Sequence, residues 1–396
     1  MGQSVETLEK KHLMQTYARY PLVIERGRGC WVYDNKGRRY LDLLGGIGVN
    51  MLGHGHPRIV RVIREQCARA IHVSNLYYHS YQGPLAARLA RLSGLARVFL
   101  CNSGTEAIEG ALKLARAYNG KKAADKFHLV ALENSFHGRT MGALAATGQE
   151  KYRKAFEPLL PGVEFVHFND VRDLEARVNE RTSAVLIEPI QGEGGIFEVS
   201  SEFLESARRL ADQFDAVLIL DEIQCGLGRT GRWFAYQNYG VKPDIVVVAK
   251  PLAAGLPLGA FLATEKVASA LTAGMHGSTF GGGPLACRVA LEFLNIVQEE
   301  NLLSHIRRVG RYFEHGLRRL QHKYNFIKEV RAQGLMLAAD LSLPSRPFVD
   351  RAMAAGLLIN STHDTVLRFL PPYIIQKKQV DQALGILDRI FSELPA

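Results

Sequence analysis

Lys250, Asp221 and Glu188 each stand where a short apolar run stops, in DIVVVAK, DAVLILDE and SAVLIEP. An ammonium at the end of a buried strand loses much of its hydration. It needs an opposite charge, a depressed pKa or a covalent use. A carboxylate in the same setting can bind a ribose hydroxyl, a metal or the N–H of a cationic ring, or it can cap a helix. Lys250 follows Asp221 by the length of one crossover helix plus a strand, which puts the two on neighbouring strands. Upstream, VFLCNSGTEAIEGALKLAR closes a strand in Asn102-Ser103-Gly104-Thr105 and opens a helix with apolar positions at Ala107, Ile108, Ala111, Leu112 and Ala115. Small residues at a helix start leave backbone N–H groups free for an anion, and Ser103 and Thr105 add hydroxyls; plain N-capping is the simpler alternative.

An anion nest, an acid and a desolvated amine thus converge on one sheet edge. An amine that forms a Schiff base needs a neutral fraction, which burial supplies. A pyridine acting as an electron sink needs a carboxylate to keep its nitrogen protonated, and its phosphate needs the nest. One ligand uses all three groups, pyridoxal 5′-phosphate. The competing reading of Lys250 is a structural ion pair with Asp221 or Glu188.

The elements that must position these residues are short apolar strands alternating with amphipathic stretches. ARVFLC, FHLVALE, SAVLIEP, DAVLILDE and DIVVVAK are separated by segments such as SEFLESARRLADQF. That pattern predicts an α/β fold whose mainly parallel sheet is covered by helices on both faces. Residues 60–290 form the expected large domain. Residues 291–396, with long helices and the strand candidates GLMLAADL and TVLRFLPP, form a smaller α+β domain, and 1–59 form an N-terminal segment. With 396 residues, one small core is excluded.

Bulk composition narrows the function classes. The 47% hydrophobic and 22% charged content is that of a soluble globular chain, and no apolar run is long enough to span a bilayer. The start MGQSVETLEKKHLMQ lacks the apolar stretch of a secretion signal. Five cysteines without a CxxC fit a reducing cytoplasm and no disulfide framework. The net charge of +10 is dispersed, so it implies attraction of anionic metabolites rather than nucleic acid. GHGHP, with His54 and His56 and no further ligands, reads as a turn; no metal is expected.

The stretches GGIGVNMLGHGHP, SNLYY, NSGTEA, SFHGRT, EPIQGEGG, LDEIQCGLGRTG, AKPLAAGLPLGA, HGSTFGGGPLAC and LRFLPP, in this order and spacing, resemble the class III, fold-type I, pyridoxal-phosphate-dependent aminotransferases over nearly the whole chain. The resemblance implies that Lys250 binds the cofactor covalently and moves the proton, that Asp221 pairs with the ring nitrogen, and that Gln224 reaches the ring hydroxyl. It implies that Ser103, Gly104 and Thr105 hold the phosphate with Thr279 of a second subunit, that Phe136 stacks on the ring, and that His137 and Glu188 complete the cofactor site. On the substrate side it implies Arg139 for a carboxylate, Ser278 from the partner chain and Tyr17 lining the pocket. Glu193 and Arg368 form an exchangeable pair, closed for a neutral donor tail and open for the second carboxylate of 2-oxoglutarate. A static salt bridge is the alternative for that pair.

Within the family, SNLYY and the short N-terminus favour N-acetylornithine as donor, with N-succinyl-diaminopimelate as a second substrate. Ile47, where ornithine-using relatives tend to have tyrosine, argues against free ornithine. The alternative is an ω-aminotransferase acting on 4-aminobutyrate, ornithine or putrescine. The implied protein is a cytoplasmic homodimer with shared active sites, in which the N-terminal segment 1–59 packs on the small domain and on the partner subunit. Ile108, Pro251 and Gly283 depart from the family's usual residues, which bears on substrate fit and loop mobility.

Overall fold

The computed structural model describes residues 4–393. The chain opens with an antiparallel meander, β1 (Ile24–Arg28), β2 (Trp31–Asp34) and β3 (Arg39–Asp42). The central strands follow: β4 (Arg97–Cys101), β5 (His128–Leu132), β6 (Val163–Val166) and β7 (Thr182–Ile187). After a small hairpin of β8 (Ile190–Gln191) and β9 (Phe197–Glu198) come β10 (Val217–Asp221), β11 (Ile245–Val248) and β12 (Gly259–Ala263). The seven-stranded sheet runs β4-β12-β11-β10-β7-β5-β6.

Residues of one strand alternate between two cores. Leu218, Leu220, Val246 and Val248 join the cluster under helix Ser201–Gln213, with its Phe203, Leu204 and Ala207. Val217, Ile219, Ile245 and Val247 join the cluster that holds Ala107, Ile108 and Ala111 of helix Gly104–Gly120. Burial on both faces is why these strands read as unbroken apolar runs rather than as alternating ones. Ile108 is fully buried in the second cluster, so its departure from the family pattern is a packing change.

The sheet is mainly parallel, as expected, with one antiparallel strand. β12 runs antiparallel to both β11 and β4. The chain returns after Lys250 through the 3₁₀ turn Lys250–Ala253 instead of a crossover helix, with Pro251 at its start and Ala254 left-handed at its end. Pro251 supplies a fixed φ where the turn needs one.

The C-terminal part contains helices Pro284–Glu299 and Leu302–Lys323, then β13 (Ile327–Gln333), β14 (Met336–Leu341), β15 (Leu357–Leu358), β16 (Asn360–Thr362) and β17 (Val366–Phe369). An antiparallel sheet runs β13-β14-β17-β16, backed by Leu302–Lys323. β15 pairs in parallel with β3, so the N-terminal meander and the C-terminal part share a sheet. The division drawn between residues 290 and 291 lies inside the single helix Pro284–Glu299. Among the described residues no helix is long and apolar enough to cross a membrane.

Candidate active site

β7, β10 and β11 are adjacent and parallel, so the residues beyond their carboxyl ends (Glu188, Asp221 and Lys250) line one edge. β4 points the same way and delivers Asn102–Thr105 to it. The result is a cavity of about 400 Å³ lined by Ser103, Gly104, Thr105, Phe136, His137, Arg139, Glu188, Glu193, Asp221, Gln224 and Lys250. That volume is in the range of small-molecule sites.

Helix Gly104–Gly120 starts at this edge. Ser103 caps it, accepting the Glu106 N–H at 3.3 Å, and the N–H groups of Gly104 and Thr105 have no acceptor within the helix. The Thr105 hydroxyl accepts the N–H of Arg139 and of Thr140, both at 3.3 Å, which ties the SFHGRT loop to the nest. The nest rests on β12: a Cβ on Gly259 would lie 2.4 Å from the Ser103 carbonyl oxygen, and backbone cannot rotate away. Only glycine lets that strand support the loop.

Asp221 is almost fully buried. One of its oxygens accepts the Ile223 N–H at 3.0 Å and the other lies 2.7 Å from His137 Nδ1. Because an ionised carboxylate only accepts, Nδ1 carries the hydrogen. The resemblance places His137 in the cofactor site, but its bond to Asp221 was not foreseen from the sequence. Nε2 of His137 is buried without a partner. Glu188 accepts the N–H of Phe136 at 2.8 Å and of Gly192 at 3.1 Å, and burial raises its carboxyl above the ordinary range, partly offset by His137. Glu222 turns away from the cavity and accepts the N–H of Ala235 and Tyr236 at 2.6 and 2.7 Å. Burial pushes its carboxyl up to about 8, and its two backbone bonds give it a structural role.

Lys250 lines the cavity and makes no hydrogen bond or ion pair among the described residues. Burial lowers its pKa below the ordinary lysine value, against the upward pull of Glu193 and Asp221. A salt-bridged structural lysine would show neither feature. Beside it, Gly45, Gly46, Ile47 and Gly48 are four consecutive left-handed residues, with φ of 53, 68, 60 and 80°. Asp42 holds the turn through the N–H of Leu44 and Gly45, and His54 of GHGHP bonds the other Asp42 oxygen at 2.8 Å. A β-branched residue at positive φ is costly, so Ile47 is a strained position next to the site.

Glu193 bonds Arg368 at 2.6 Å, and the fully buried Arg368 also donates to the Gly192 carbonyl at 2.9 Å and to Gln224 at 3.2 Å. Burial alone would raise Glu193, but Arg368 outweighs it and holds the carboxyl low. One terminal nitrogen of Arg368 stays buried and unpartnered behind Glu193. Arg139 is exposed at the cavity mouth, over the Tyr152 ring at 4.0 Å, with no carboxylate within 4.0 Å among the described residues. Phe136 is half-buried and meets Tyr152 edge-on.

Three expected residues lie elsewhere in the single chain. Tyr17 does not line this cavity within the single chain: it is 73% exposed and borders a separate groove with Val5, Glu9 and Tyr20. Its segment is drawn to the C-terminal part, where Arg346 stacks on Tyr20 at 4.6 Å. Ser278 bonds Asn102 at 3.1 Å at the cavity rim, and Thr279 is exposed beyond it.

The cradle fits the cofactor expected from the sequence. An unpartnered amine, a buried carboxylate and a helix start with free N–H groups border one volume, and a half-buried aromatic lies on its wall. Those are the partners that an aldehyde, a ring nitrogen, a phosphate and a flat ring require.

The profile described as aminotransferase class-III matches residues 13–391. The acetylornithine aminotransferase of Methanocaldococcus jannaschii is 48% identical over 98% of this chain and 98% of its own length. That of Aquifex aeolicus is 46% identical over 96% and 99%. Among solved structures, the ornithine aminotransferase of Toxoplasma gondii superposes with a TM-score of 0.94 at 34% identity, over 98% of this chain and 94% of that one. The N-acetylornithine aminotransferase of Stenotrophomonas maltophilia gives 0.84 at 36% identity, over 98% of each.

Proposed function

This chain belongs to the class-III aminotransferases, and from that premise we propose that it transfers the terminal amino group of N-acetylornithine to 2-oxoglutarate. The products are N-acetylglutamate 5-semialdehyde and glutamate, a step of arginine biosynthesis. The observation that carries the reading is the meeting of Lys250, Asp221 and the Ser103–Thr105 helix start around one cavity.

Bound there, pyridoxal 5′-phosphate supplies a protonated aromatic ring that takes up the electron pair left when the substrate C–H bond breaks. Lys250 would hold the cofactor through its amine, and its Nζ is the base for the proton on the amine-bearing carbon of the donor. A lowered pKa gives that amine the neutral fraction both tasks need. Asp221 would keep the ring nitrogen protonated, with His137 fixing the carboxylate. Gly104 and Thr105 would hold the phosphate, Phe136 would face the ring and Gln224 would reach the ring hydroxyl.

Arg139, unpaired at the mouth, is the group for the substrate's α-carboxylate, which its planar fork can take bidentately. With Glu193 on Arg368 the far end of the cavity is neutral and suits an acylamino tail. With Glu193 withdrawn, Arg368 offers a buried cation to the second carboxylate of 2-oxoglutarate. The half-buried Glu193 and the fully buried Arg368 suit this exchange, because only the acid has room to leave.

The active unit is a homodimer in the cytoplasm. Leu76, Tyr77, Tyr78 and Phe280 are exposed on the single chain. Asn75 bonds the Ser278 and Gly281 carbonyls, so these apolar side chains lie together beside Ser278 and Thr279. A second copy covering them would bring its Ser278 and Thr279 to this cavity.

A donor panel with 2-oxoglutarate, read as glutamate formed, tests the substrate. kcat/KM for N-acetylornithine should exceed that for 4-aminobutyrate, putrescine and free ornithine by at least about tenfold. No turnover of N-acetylornithine would refute the assignment.

A further inference from the structure

Glu193 sits in Gly192-Glu193-Gly194-Gly195-Ile196, between β8 and β9. Three glycines in five residues give such a loop wide freedom, and Gly195 and Ile196 are both left-handed, at φ 115 and 61°. The structure shows the opposite of a slack loop. The Gly192 carbonyl accepts from Arg368, the Glu193 carbonyl accepts the Thr362 hydroxyl at 2.5 Å, and the Gly195 carbonyl accepts Arg331 Nε at 3.0 Å. The Gln191 carbonyl accepts the Ile196 N–H at 2.9 Å, which closes the loop on itself.

The three clamping side chains all come from the C-terminal sheet. Arg331 is on β13, its guanidinium 3.9 Å over the Phe197 ring. Thr362 and Arg368 lie on the paired strands β16 and β17, where Asn360 faces Arg368 and Thr362 faces Val366. Asn360 in turn accepts Arg368 Nε at 3.2 Å. One hairpin therefore carries both the guanidinium that Glu193 pairs with and the hydroxyl that holds the Glu193 backbone.

We infer that Thr362 is a positioning residue for substrate selection: its hydroxyl fixes the backbone from which Glu193 reaches Arg368, so that the exchange between substrates is a rotation of the Glu193 side chain alone. The inference rests on the transamination reading above. Thr362 is buried and its hydroxyl is the protein donor to the Glu193 carbonyl, so its loss leaves that carbonyl without a protein partner. A loosened backbone weakens the closed pair and leaves Arg368 uncompensated more of the time. That penalises the neutral tail of the donor and spares the dicarboxylate.

In the holoenzyme, Thr362→Val should raise the KM for N-acetylornithine about three- to tenfold, the factor carried by one buried hydrogen bond, while the KM for 2-oxoglutarate does not rise. Thr362→Ser keeps the hydroxyl and should restore the wild-type ratio. Arg331→Gln frees the neighbouring Gly195 carbonyl by a different deletion and should shift the ratio the same way, which keeps the test open if the valine variant folds poorly. Glu193→Gln should shift it further. If Glu193→Gln leaves the ratio of the two KM values unchanged, the pair does not select substrates and both readings fall. If Glu193→Gln shifts the ratio but Thr362→Val moves both KM values together, or kcat alone, the clamp is overturned and the exchange reading survives.

Discussion

In Lys250→Ala, turnover of N-acetylornithine with 2-oxoglutarate will fall by roughly 10⁴-fold or more, the combined loss of a covalent anchor and a positioned base. The fold will not suffer. Lys250 makes no hydrogen bond or ion pair among the described residues, and burial disfavours its charge, so the side chain contributes no polar contact that the variant loses. The thermal midpoint of the cofactor-free variant should not fall below that of the cofactor-free wild type, measured alongside single-turnover rates of the loaded proteins. A small primary amine added to the variant should recover part of the rate, because it can stand in for the missing base. A variant that keeps even a hundredth of the wild-type rate without added amine would contradict the role given to Lys250.

Asp221→Asn comes second in size, with kcat expected to fall about 10²- to 10⁴-fold. The substitution keeps shape and removes charge. The carboxylate now accepts from Ile223 and from His137 at once, at 3.0 and 2.7 Å, with separate oxygens. An amide has only one acceptor oxygen, so one of these donors would face an NH₂ group. The ring nitrogen then loses the negative charge that keeps it protonated, and the barrier to C–H cleavage rises. Cofactor affinity should weaken in parallel, seen by titrating the apoprotein. Unchanged kcat with weakened binding would mean that Asp221 only holds the cofactor.

The placement of Lys250, Asp221 and Glu188 was legible because burial on both faces turns β7, β10 and β11 into apolar runs that stop abruptly at chemistry-bearing residues. The same logic missed β12. GAFLA is just as buried, but it follows the glycine- and proline-rich segment after Lys250, and nothing in the run itself shows that it runs antiparallel. The meander β1–β3 was missed as well. IERGR is mostly exposed, with three charged residues in five, and it is held by pairing with β2 rather than by a core of its own. The bond between His137 and Asp221 joins residues far apart in sequence and depends on how the loop after β5 folds over the end of β10. Thr362 and Arg331 carry no local signal at all. Their role exists only because the C-terminal sheet docks against the Glu193 loop, a tertiary contact that no spacing encodes. Tyr17 carries no motif of its own, and in the single chain its segment lies along a separate groove, where Arg346 stacks on the neighbouring Tyr20.

Transamination at this site requires a single pyridoxal 5′-phosphate in the cavity, bonded to Lys250. Borohydride reduction of the holoprotein fixes that bond permanently, and peptide mass mapping then locates it. A phosphopyridoxyl mass increment is expected on the peptide containing Lys250 and on no other. An increment on a different lysine, or an unmodified Lys250 in a catalytically active sample, would contradict it.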